Sequence, residues 1–402
     1  MALDSVTAPY LLLLLPDPPS PAVRQLNDVY GPALSHLFSG LATQLKGSSR
    51  VAKVDVALAI PQLLSARFQP RAKAFASLQH LLANFYTLVV AASVSSNVDL
   101  DGPGGLDVRV FFVDEDDSSQ DHKHGLHGPV ISLKTLAASQ RAWNRVYGLD
   151  TRGGEQLASK FSSYGTSLSY DKLPGGAIGS TPSETTLGSD EERSTRHHAV
   201  IVGGTFDHLH LGHKLLLTAT ALALDPASEE KREGERRSLY VGITGDEMLV
   251  NKKFAEYLES WEERWQNTAS FLRAIIDFNP PVAQTFDIQR TEKPGPNGKR
   301  VSTQVAPDLD IHLVQIADPY GPTITEENLN ALIVSAETRS GGQAVNTERN
   351  KKGWASLEVF EVDVLQTGEA NEVANASTSS FESKISSTDI RQRRMKSAKG
   401  NL

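Results

Sequence analysis

The stretch AVIVGGTFDHLHLGH, residues 199–213, decides the fold of the C-terminal half of the chain. Its apolar start, Ala199 to Val202, has the pattern of a buried strand, and a helical pattern begins near Gly212 after a pair of glycines. A second apolar strand, Leu239 to Ile243, follows that helix. A right-handed helical crossover joins the two parallel strands of such a βαβ unit. The stretch therefore predicts a parallel sheet.

The rest of residues 197–402 extends this pattern into a Rossmann-like α/β domain, an open parallel sheet with helices on both faces. The segment Gln289 to Pro307, which is rich in Pro and Gly around Pro294 to Gly298, is expected to be an inserted surface loop. The remaining strands are predicted at 311–316, 331–334 and 357–365, and helices at 259–277 and 387–398.

The N-terminal half predicts a second α/β domain, residues 1–150, with the element order β-α-β-α-β. Its role is not indicated by any group of residues. Residues 151–196 are rich in Gly, Ser and Thr, and this composition favours a flexible linker. The predicted strands are 10–15, 54–60 and 108–113, and the predicted helices are 22–46 and 72–92.

Composition excludes several classes of function. The chain of 402 residues has a formal charge of −8, which argues against a nucleic-acid partner because phosphate neutralisation needs a basic surface. It has no cysteine, which excludes disulfides and thiolate chemistry. The apolar run Leu11 to Leu15 is too short for a membrane span or a signal peptide and is closed by Pro16. A cytoplasmic protein without a membrane partner is expected.

The pattern His-x-Gly-His at a strand-to-helix junction is typical of an anion site. A helix N-terminus offers free N–H groups to phosphate, and His210 and His213 are spaced to lie on the same side of the helix. Gly203 and Gly204 allow the backbone to approach an anion, and Gly212 is expected to leave room for a nucleotide. The alternative is a surface loop with two incidental histidines.

Two later segments carry similar chemistry. Lys252 and Lys253 follow the second strand at the same edge of the sheet, where an ammonium neutralises phosphate, although paired lysines are commonly solvated surface charges. The segment Ile385 to Asp389 has the pattern of a capped helix start, which can serve as a second anion site or as a cap alone. Arg339 before a glycine pair suits bidentate phosphate binding. Asp318-Pro319-Tyr320-Gly321-Pro322 is typical of a turn.

The string GGTFDHLHLGH resembles the signature of the HxGH nucleotidyltransferase superfamily. Over residues 197–398 the chain is also similar to the phosphopantetheine adenylyltransferases of eukaryotic coenzyme A synthesis, in their monofunctional, fungal form. Four segments carry this likeness: Val241 to Lys253 with Glu262-Glu263-Arg264, Asp318 to Pro322, Val334 to Thr338 with Gly341-Gly342, and Lys384 to Thr388 with Ile390-Arg391.

The resemblance implies transfer of the adenylyl group of ATP to 4′-phosphopantetheine, with Mg²⁺ accompanying ATP and no protein ligand for the metal. It implies that His213, Thr205 and Lys252 are catalytic, with Lys253 as a rival of Lys252. Thr205, Lys252 and Arg339 would bind the pantetheine substrate. The implied nucleotide-binding residues are Gly204, Thr205, Phe206, His210, His213, Ser386, Ser387, Thr388 and Arg391.

Other functions remain open at this point. A cytidylyltransferase or a nicotinamide mononucleotide adenylyltransferase would share the signature, and so would an inactive nucleotide-binding scaffold protein. The chain has no Gly-x-x-x-x-Gly-Lys-Ser/Thr loop, so a single reaction without a fused kinase is expected. Association with other enzymes of coenzyme A synthesis would then supply the following step.

Overall fold

The protein folds into two α/β domains that share a continuous apolar core. The computed structural model describes residues 7–116, 127–165, 170–176, 187–227, 236–281, 287–365 and 378–400, and the side chains of the last segment at 382–398. The core contains the first strands of both domains and the helices between them, so the domains are packed against each other over a wide face.

In the described part of the N-terminal half, six parallel strands form a sheet in the order β4-β3-β2-β1-β5-β6. The predicted β-α-β-α-β order is confirmed in its first five elements. The strands are β1 Tyr10–Leu15, β2 Ala52–Ala59, β3 Leu106–Asp114, β4 Val130–Ser132, β5 Arg145–Leu149 and β6 Tyr170–Leu173, and the helices are α1 Val23–Leu45, α2 Ala72–Ser95, α3 Leu133–Ala138 and α4 Arg152–Ser163.

The prediction of a linker over residues 151–196 is wrong at its N-terminal end. The helix α4 begins behind Thr151, whose hydroxyl accepts a hydrogen bond from the Gly154 N–H, and it buries Leu157 and Phe161. The strand β6 pairs with β5 at the edge of the sheet. These apolar contacts offset the polar composition, and the N-terminal domain therefore extends to about residue 173. Residues 166–169 and 177–186 of the predicted linker lie outside the described residues.

The C-terminal sheet has the strand order β13-β12-β7-β8-β11-β10-β9 among the described residues, and its first five strands in that order are parallel. The first strand of the domain, β7, lies where the strand order reverses, which is where open α/β sheets bind ligands. The strands are β7 Ala199–Gly204, β8 Arg237–Thr244, β9 Ile288–Glu292, β10 Lys299–Ala306, β11 Leu309–Ile316, β12 Ala331–Ser335 and β13 Glu358–Val362. The helices are α5 Leu211–Ala223, α6 Trp261–Ile276, α7 Arg339–Lys351, α8 Thr378–Ile385 and α9 Ser387–Gly400.

The segment Gln289 to Pro307 is not a surface loop but an antiparallel hairpin, β9 and β10, added to the parallel sheet. Its Pro- and Gly-rich centre is the turn, in which Asn297 has a positive φ of 61°. The second strand buries Val301, Thr303 and Val305 at alternate positions. This period of two is characteristic of a strand with one buried face, and the neighbouring turn residues hide it in the sequence.

The helix α2 joins the two domains. It is long and apolar enough to cross a membrane, but 83% of its apolar window is buried inside the fold. It packs against α1 on one side and against α5 on the other. The apolar length of α2 is therefore accounted for by its position as a core helix between the two sheets.

Candidate active site

At the junction between β7 and α5, two residues lie in the left-handed region of the backbone, Phe206 at φ 51° and His208 at φ 46°. Phe206 is fully buried, and a side chain at Gly204 would come within 2.9 Å of its ring. Gly204 therefore permits the close packing that shapes the loop. The sequence predicts that Phe206 binds a nucleotide. Because its ring is buried and packs under the loop in the protein core, only its backbone is available to a ligand.

The two signature histidines stack against each other at the start of α5. The ring centroids of His210 and His213 are 3.8 Å apart with an interplanar angle of 20°, so the expectation that they lie on the same side is confirmed. The prediction that Gly212 leaves room for a nucleotide stays a prediction, but the structure gives this glycine a second role. A side chain there would come within 3.2 Å of the His210 ring, so this glycine makes room for the imidazole itself.

Both imidazoles are neutral at pH 7. Burial lowers the pKa of His213 to about 4, partly opposed by the negative charge of Glu259, and burial also lowers the pKa of His210 well below its ordinary value. The Nδ1 atoms of both rings have no hydrogen-bond partner among the described residues. A neutral imidazole keeps one N–H donor, so the pair offers hydrogen bonds to an anion without adding positive charge.

Asp207 connects the signature loop to the C-terminal helix α9. Its buried carboxylate pairs with the guanidinium of Arg391, and its carbonyl accepts a hydrogen bond of 2.8 Å from the Ser387 hydroxyl. The other nitrogens of Arg391 donate to the Lys253 carbonyl at 3.0 Å and to the Thr388 hydroxyl at 3.2 Å. Three of the five N–H donors of Arg391 are engaged in these bonds, so it positions the N-terminus of α9 beside the loop, and the contact with nucleotide phosphates predicted from the sequence stays a prediction.

The start of α9 is arranged as the sequence predicts for a capped helix. The Ser386 hydroxyl accepts a hydrogen bond of 3.3 Å from the Asp389 N–H, and the Ser386 carbonyl accepts the first helical bond from Ile390. The loop 205–210 and the first turn of α9 therefore lie together, which places two helix N-termini, those of α5 and α9, at one site. Each helix start is recognisable in the sequence, but only the fold brings the two together.

His208, which is buried on the loop, and Glu259, which is partly buried, form a second pair. The His208 N–H donates to Glu259 at 2.9 Å, and its ring contacts the Tyr257 carbonyl at 2.9 Å. Burial acts to lower the pKa of His208, but the hydrogen bond and charge of Glu259 with the charge of Asp207 raise it overall. Asp207, His208 and Glu259 have the spacing of metal ligands. Their ligand atoms are already engaged by Arg391, by each other and by backbone, which favours an ion-pair network over a metal site.

Arg264 is a fully buried positioning residue that the sequence reasoning missed. It donates to the carbonyls of Thr205 at 2.8 Å and Glu259 at 2.9 Å, and it pairs with Asp246 at 2.6 Å. It thereby joins the loops that follow β7 and β8 to the start of α6. The sequence contained this signal only as the segment Glu262-Glu263-Arg264 of the family resemblance. Thr205 itself is half-buried on this loop.

Lys252 and Lys253 are exposed on the segment that follows β8. Neither ammonium has an ion-pair partner among the described residues, while the Lys253 backbone is bound to Arg391. Two exposed ammonium groups at this edge of the sheet suit an incoming phosphate.

A cavity of about 290 Å³ opens at the carboxyl ends of β7, β8, β11 and β12. Its floor includes Gly203, Gly204 and Thr244, and the first turn of α7 forms one wall. Asp318 also lines it, but its carboxylate accepts hydrogen bonds from the N–H groups of Tyr320 and Gly321 at 2.8 and 2.7 Å. The turn predicted for this segment is therefore confirmed.

Arg339, predicted to bind substrate, lies at the start of α7 with its guanidinium directed to the carboxylate of Glu361 on β13. The arginine side chain is 66% exposed, so this is a surface ion pair. The structure gives Arg339 a partner that its assignment as a substrate-binding residue did not anticipate.

Comparison with known proteins agrees with this geometry. Residues 201–393 match the family model described as cytidylyltransferase-like, and residues 1–178 match a domain family of unknown function. An uncharacterised protein of Schizosaccharomyces pombe is 30% identical over 274 residues, which are 66% of this chain and 70% of that protein. A match of this length is longer than the C-terminal domain and extends into the N-terminal one.

Two further relatives match mainly the C-terminal domain. The phosphopantetheine adenylyltransferase of Saccharomyces cerevisiae is 30% identical over 199 residues, and the chain spans 49% of its length. The phosphopantetheine adenylyltransferase of Methanothermobacter thermautotrophicus is 28% identical over 170 residues, which are 76% of that protein.

Signature, sheet topology and family match together show that the C-terminal domain of this chain belongs to the HxGH nucleotidyltransferase superfamily. Within that superfamily, its C-terminal domain is of the phosphopantetheine adenylyltransferase-like type.

Proposed function

We propose that the protein transfers the adenylyl group of ATP to 4′-phosphopantetheine and releases dephospho-coenzyme A and pyrophosphate. The observation that carries the proposal is the neutral, stacked pair His210 and His213 at a helix N-terminus, on the same edge of the sheet as the exposed Lys252 and Lys253. The names of the relatives support pantetheine as the acceptor. Because those relatives are distant, the substrate choice is part of the proposal.

In the proposed reaction an oxygen of the 4′-phosphate attacks the α-phosphorus of ATP. The bond from that phosphorus to the bridging oxygen breaks, and pyrophosphate leaves with the bonding electrons. The attacking phosphate is already an anion, so the site needs no strong general base. Catalysis consists of aligning two mutually repelling phosphates and stabilising the charge on the transferring group.

Each part of the site has a function in this scheme. The rings of His210 and His213 and the free N–H groups of α5 donate to oxygens of the transferring phosphate. The N-terminus of α9, at Ser386 to Thr388, holds the remaining phosphates of ATP. Lys252 or Lys253 neutralises the acceptor phosphate, and Mg²⁺ would accompany ATP and offset part of its phosphate charge.

A substrate panel tests the proposal. The full chain is assayed for pyrophosphate release with ATP or CTP, each combined with 4′-phosphopantetheine, nicotinamide mononucleotide or phosphocholine. We expect release with ATP and 4′-phosphopantetheine, and dephospho-coenzyme A as the product detected by mass spectrometry. Release with another pair would assign a sister transferase, and ATP binding without release would indicate an inactive scaffold.

The two lysines are separated by paired variants. Steady-state kinetics compare kcat and KM of Lys252→Ala and Lys253→Ala, with the pantetheine substrate varied at saturating ATP. We expect one of them to lose about 10-fold or more in kcat/KM, since a charge-assisted contact to phosphate contributes about 1.5–3 kcal/mol. Equal and small losses in both variants would contradict the phosphate-clamping assignment.

A further inference from the structure

The N-terminal domain contacts the signature helix directly through Lys214, the residue that follows His213. The Lys214 ammonium is 2.7 Å from the Asp107 carboxylate and 3.1 Å from the Val108 carbonyl, both on β3 of the other domain. The lysine side chain is only 4% exposed. An ion pair between a buried lysine and an aspartate that is 27% exposed therefore crosses the domain boundary one residue away from the signature.

Asp107 is held charged in this position. Burial acts to raise its pKa, but the positive charges of Lys214 and Arg109 outweigh burial and lower it well below its usual range. Arg109 donates to the same carboxylate from two nitrogens, at 3.0 and 2.6 Å. An ion pair within such a network has little freedom to change geometry, since breaking it leaves a buried charge uncompensated.

The same edge of the N-terminal domain also holds the second helix of the site. Lys384 pairs with Asp99 and donates to the Val98 carbonyl at 3.1 Å. On α9, Arg393 pairs with Asp99 at 3.1 Å and with Asp101 at 3.0 Å. Residues 98–109 of the N-terminal domain thus bind the elements that carry both helix N-termini of the site.

The apolar contacts of α5 agree with this arrangement. The helix packs on the C-terminal sheet on one side and on α2 of the N-terminal domain on the other. Leu215, Leu217, Ala219 and Leu222 are all buried, and so is Thr218. The signature helix is therefore enclosed by both domains.

We propose that the N-terminal domain is a positioning component of the transferase, and that the Asp107–Lys214 pair sets the orientation of α5 so that His210 and His213 face the transferring phosphate. This inference rests on the proposed nucleotidyl transfer. Asp107 and Lys214 act through the histidines and do not contact substrate. In this proposal the N-terminal domain, which matches a family of unknown function, contributes to the reaction of the C-terminal domain.

The test uses variants of the full chain. Asp107→Asn keeps the shape of the side chain and removes its charge, and Lys214→Met removes the ammonium while Asp107 retains Arg109. We expect each to lower kcat about 10- to 100-fold, because small displacements of catalytic groups cost up to about 100-fold, with the KM for ATP changed less than about threefold. The double variant should be no slower than the slower of the two single variants. The conservative variant Lys214→Arg, which keeps the positive charge, should retain most of the wild-type kcat.

The matched control is Asp308→Asn. It breaks the ion pair of 2.9 Å between Asp308 and Arg237, the first residue of β8, at the other end of that strand from the signature loop. The two side chains are 16% and 10% exposed, so the loss of stability should be comparable. At temperatures below its unfolding transition, we expect Asp308→Asn to have the kcat of wild type. Equal loss of kcat in the control, or kcat within twofold of wild type in Asp107→Asn and Lys214→Met, would overturn the proposal.

A substrate-independent readout separates this inference from the proposed function. Imidazole NMR signals of His210 and His213 should shift in Asp107→Asn and stay unchanged in Asp308→Asn. If wild type released no pyrophosphate from ATP and 4′-phosphopantetheine, the proposed function would fail, and the NMR shifts would still test the positioning. Unchanged imidazole signals in Asp107→Asn would refute it.

Discussion

The two domains both have a parallel sheet that begins at an inner strand, and they differ in the residues that come after that first strand. In both sheets the first strand lies where the strand order reverses. After β7 come Gly203, Gly204 and the histidine loop, whereas β1 is followed by Pro16, Asp17, Pro18 and Pro19. Proline has no N–H and cannot cradle a phosphate. The topology thus provides a place for a ligand in both domains, while the residues at the strand end decide whether that place is used.

The largest effect is expected at the histidine loop. His213→Ala should lower kcat about 100- to 1,000-fold, since it removes one preorganised donor to the transferring phosphate. Its melting temperature should fall by a few degrees at most. Steady-state kinetics and thermal unfolding measure both effects, and His36→Ala on the exposed surface of α1 is the control in the other domain. A fully active His213→Ala variant would remove the basis of the site assignment.

Burial also predicts how the loop titrates. The pKa of His213 is lowered to about 4, chiefly by burial, so its ring should remain neutral from about pH 5.5 upward. A histidine NMR titration of the free protein should therefore show its midpoint near 4 and no change between pH 6 and 8. A midpoint near the ordinary histidine value would mean that the loop is more open to water than the structure shows.

In the N-terminal domain, burial shifts the pKa of an acidic residue, Asp17. It raises the pKa of Asp17 to about 7, with a smaller contribution from Glu115. Between about pH 4 and 7, Asp17 therefore keeps its proton in the folded protein but has lost it in the unfolded chain. This group makes the protein less stable as pH rises through that window. Asp17→Asn should therefore raise the melting temperature by a few degrees at pH 8 and by much less at pH 5. A constant difference across pH would contradict the assignment.

The smallest effect is expected at Arg339. Its ion pair with Glu361 is exposed, and such pairs contribute little to stability. Arg339→Met should shift the melting temperature by about 1 °C and raise the KM for the pantetheine substrate by less than about threefold. A rise of tenfold or more would restore the substrate contact inferred from the sequence.

Much of the secondary structure was predictable. The strands β7, β8, β11 and β12 and the helix α6 occur close to their predicted positions. The helix α6 even shows the capping box, with Ser260 and Glu263 bonded to each other's backbone. Each of these signals lies within a few neighbouring residues. The hairpin β9–β10 was missed because the Pro and Gly residues of its turn hid the alternation of its second strand. The helix α4 and the strand β6 were missed because their polar composition hid the few apolar residues that they bury against the N-terminal sheet.

The sequence by itself determined the class of the protein, because the signature, its place at a strand end and the apolar periodicity are properties of adjacent residues. Only the tertiary structure decided what each charged residue does. Arg391 pairs with Asp207, Arg264 joins the loops that follow β7 and β8, and Lys214 pairs with Asp107 in the other domain. These pairs connect residues far apart in the chain, and buried charges are satisfied by whichever partner the packing of the two sheets brings within reach.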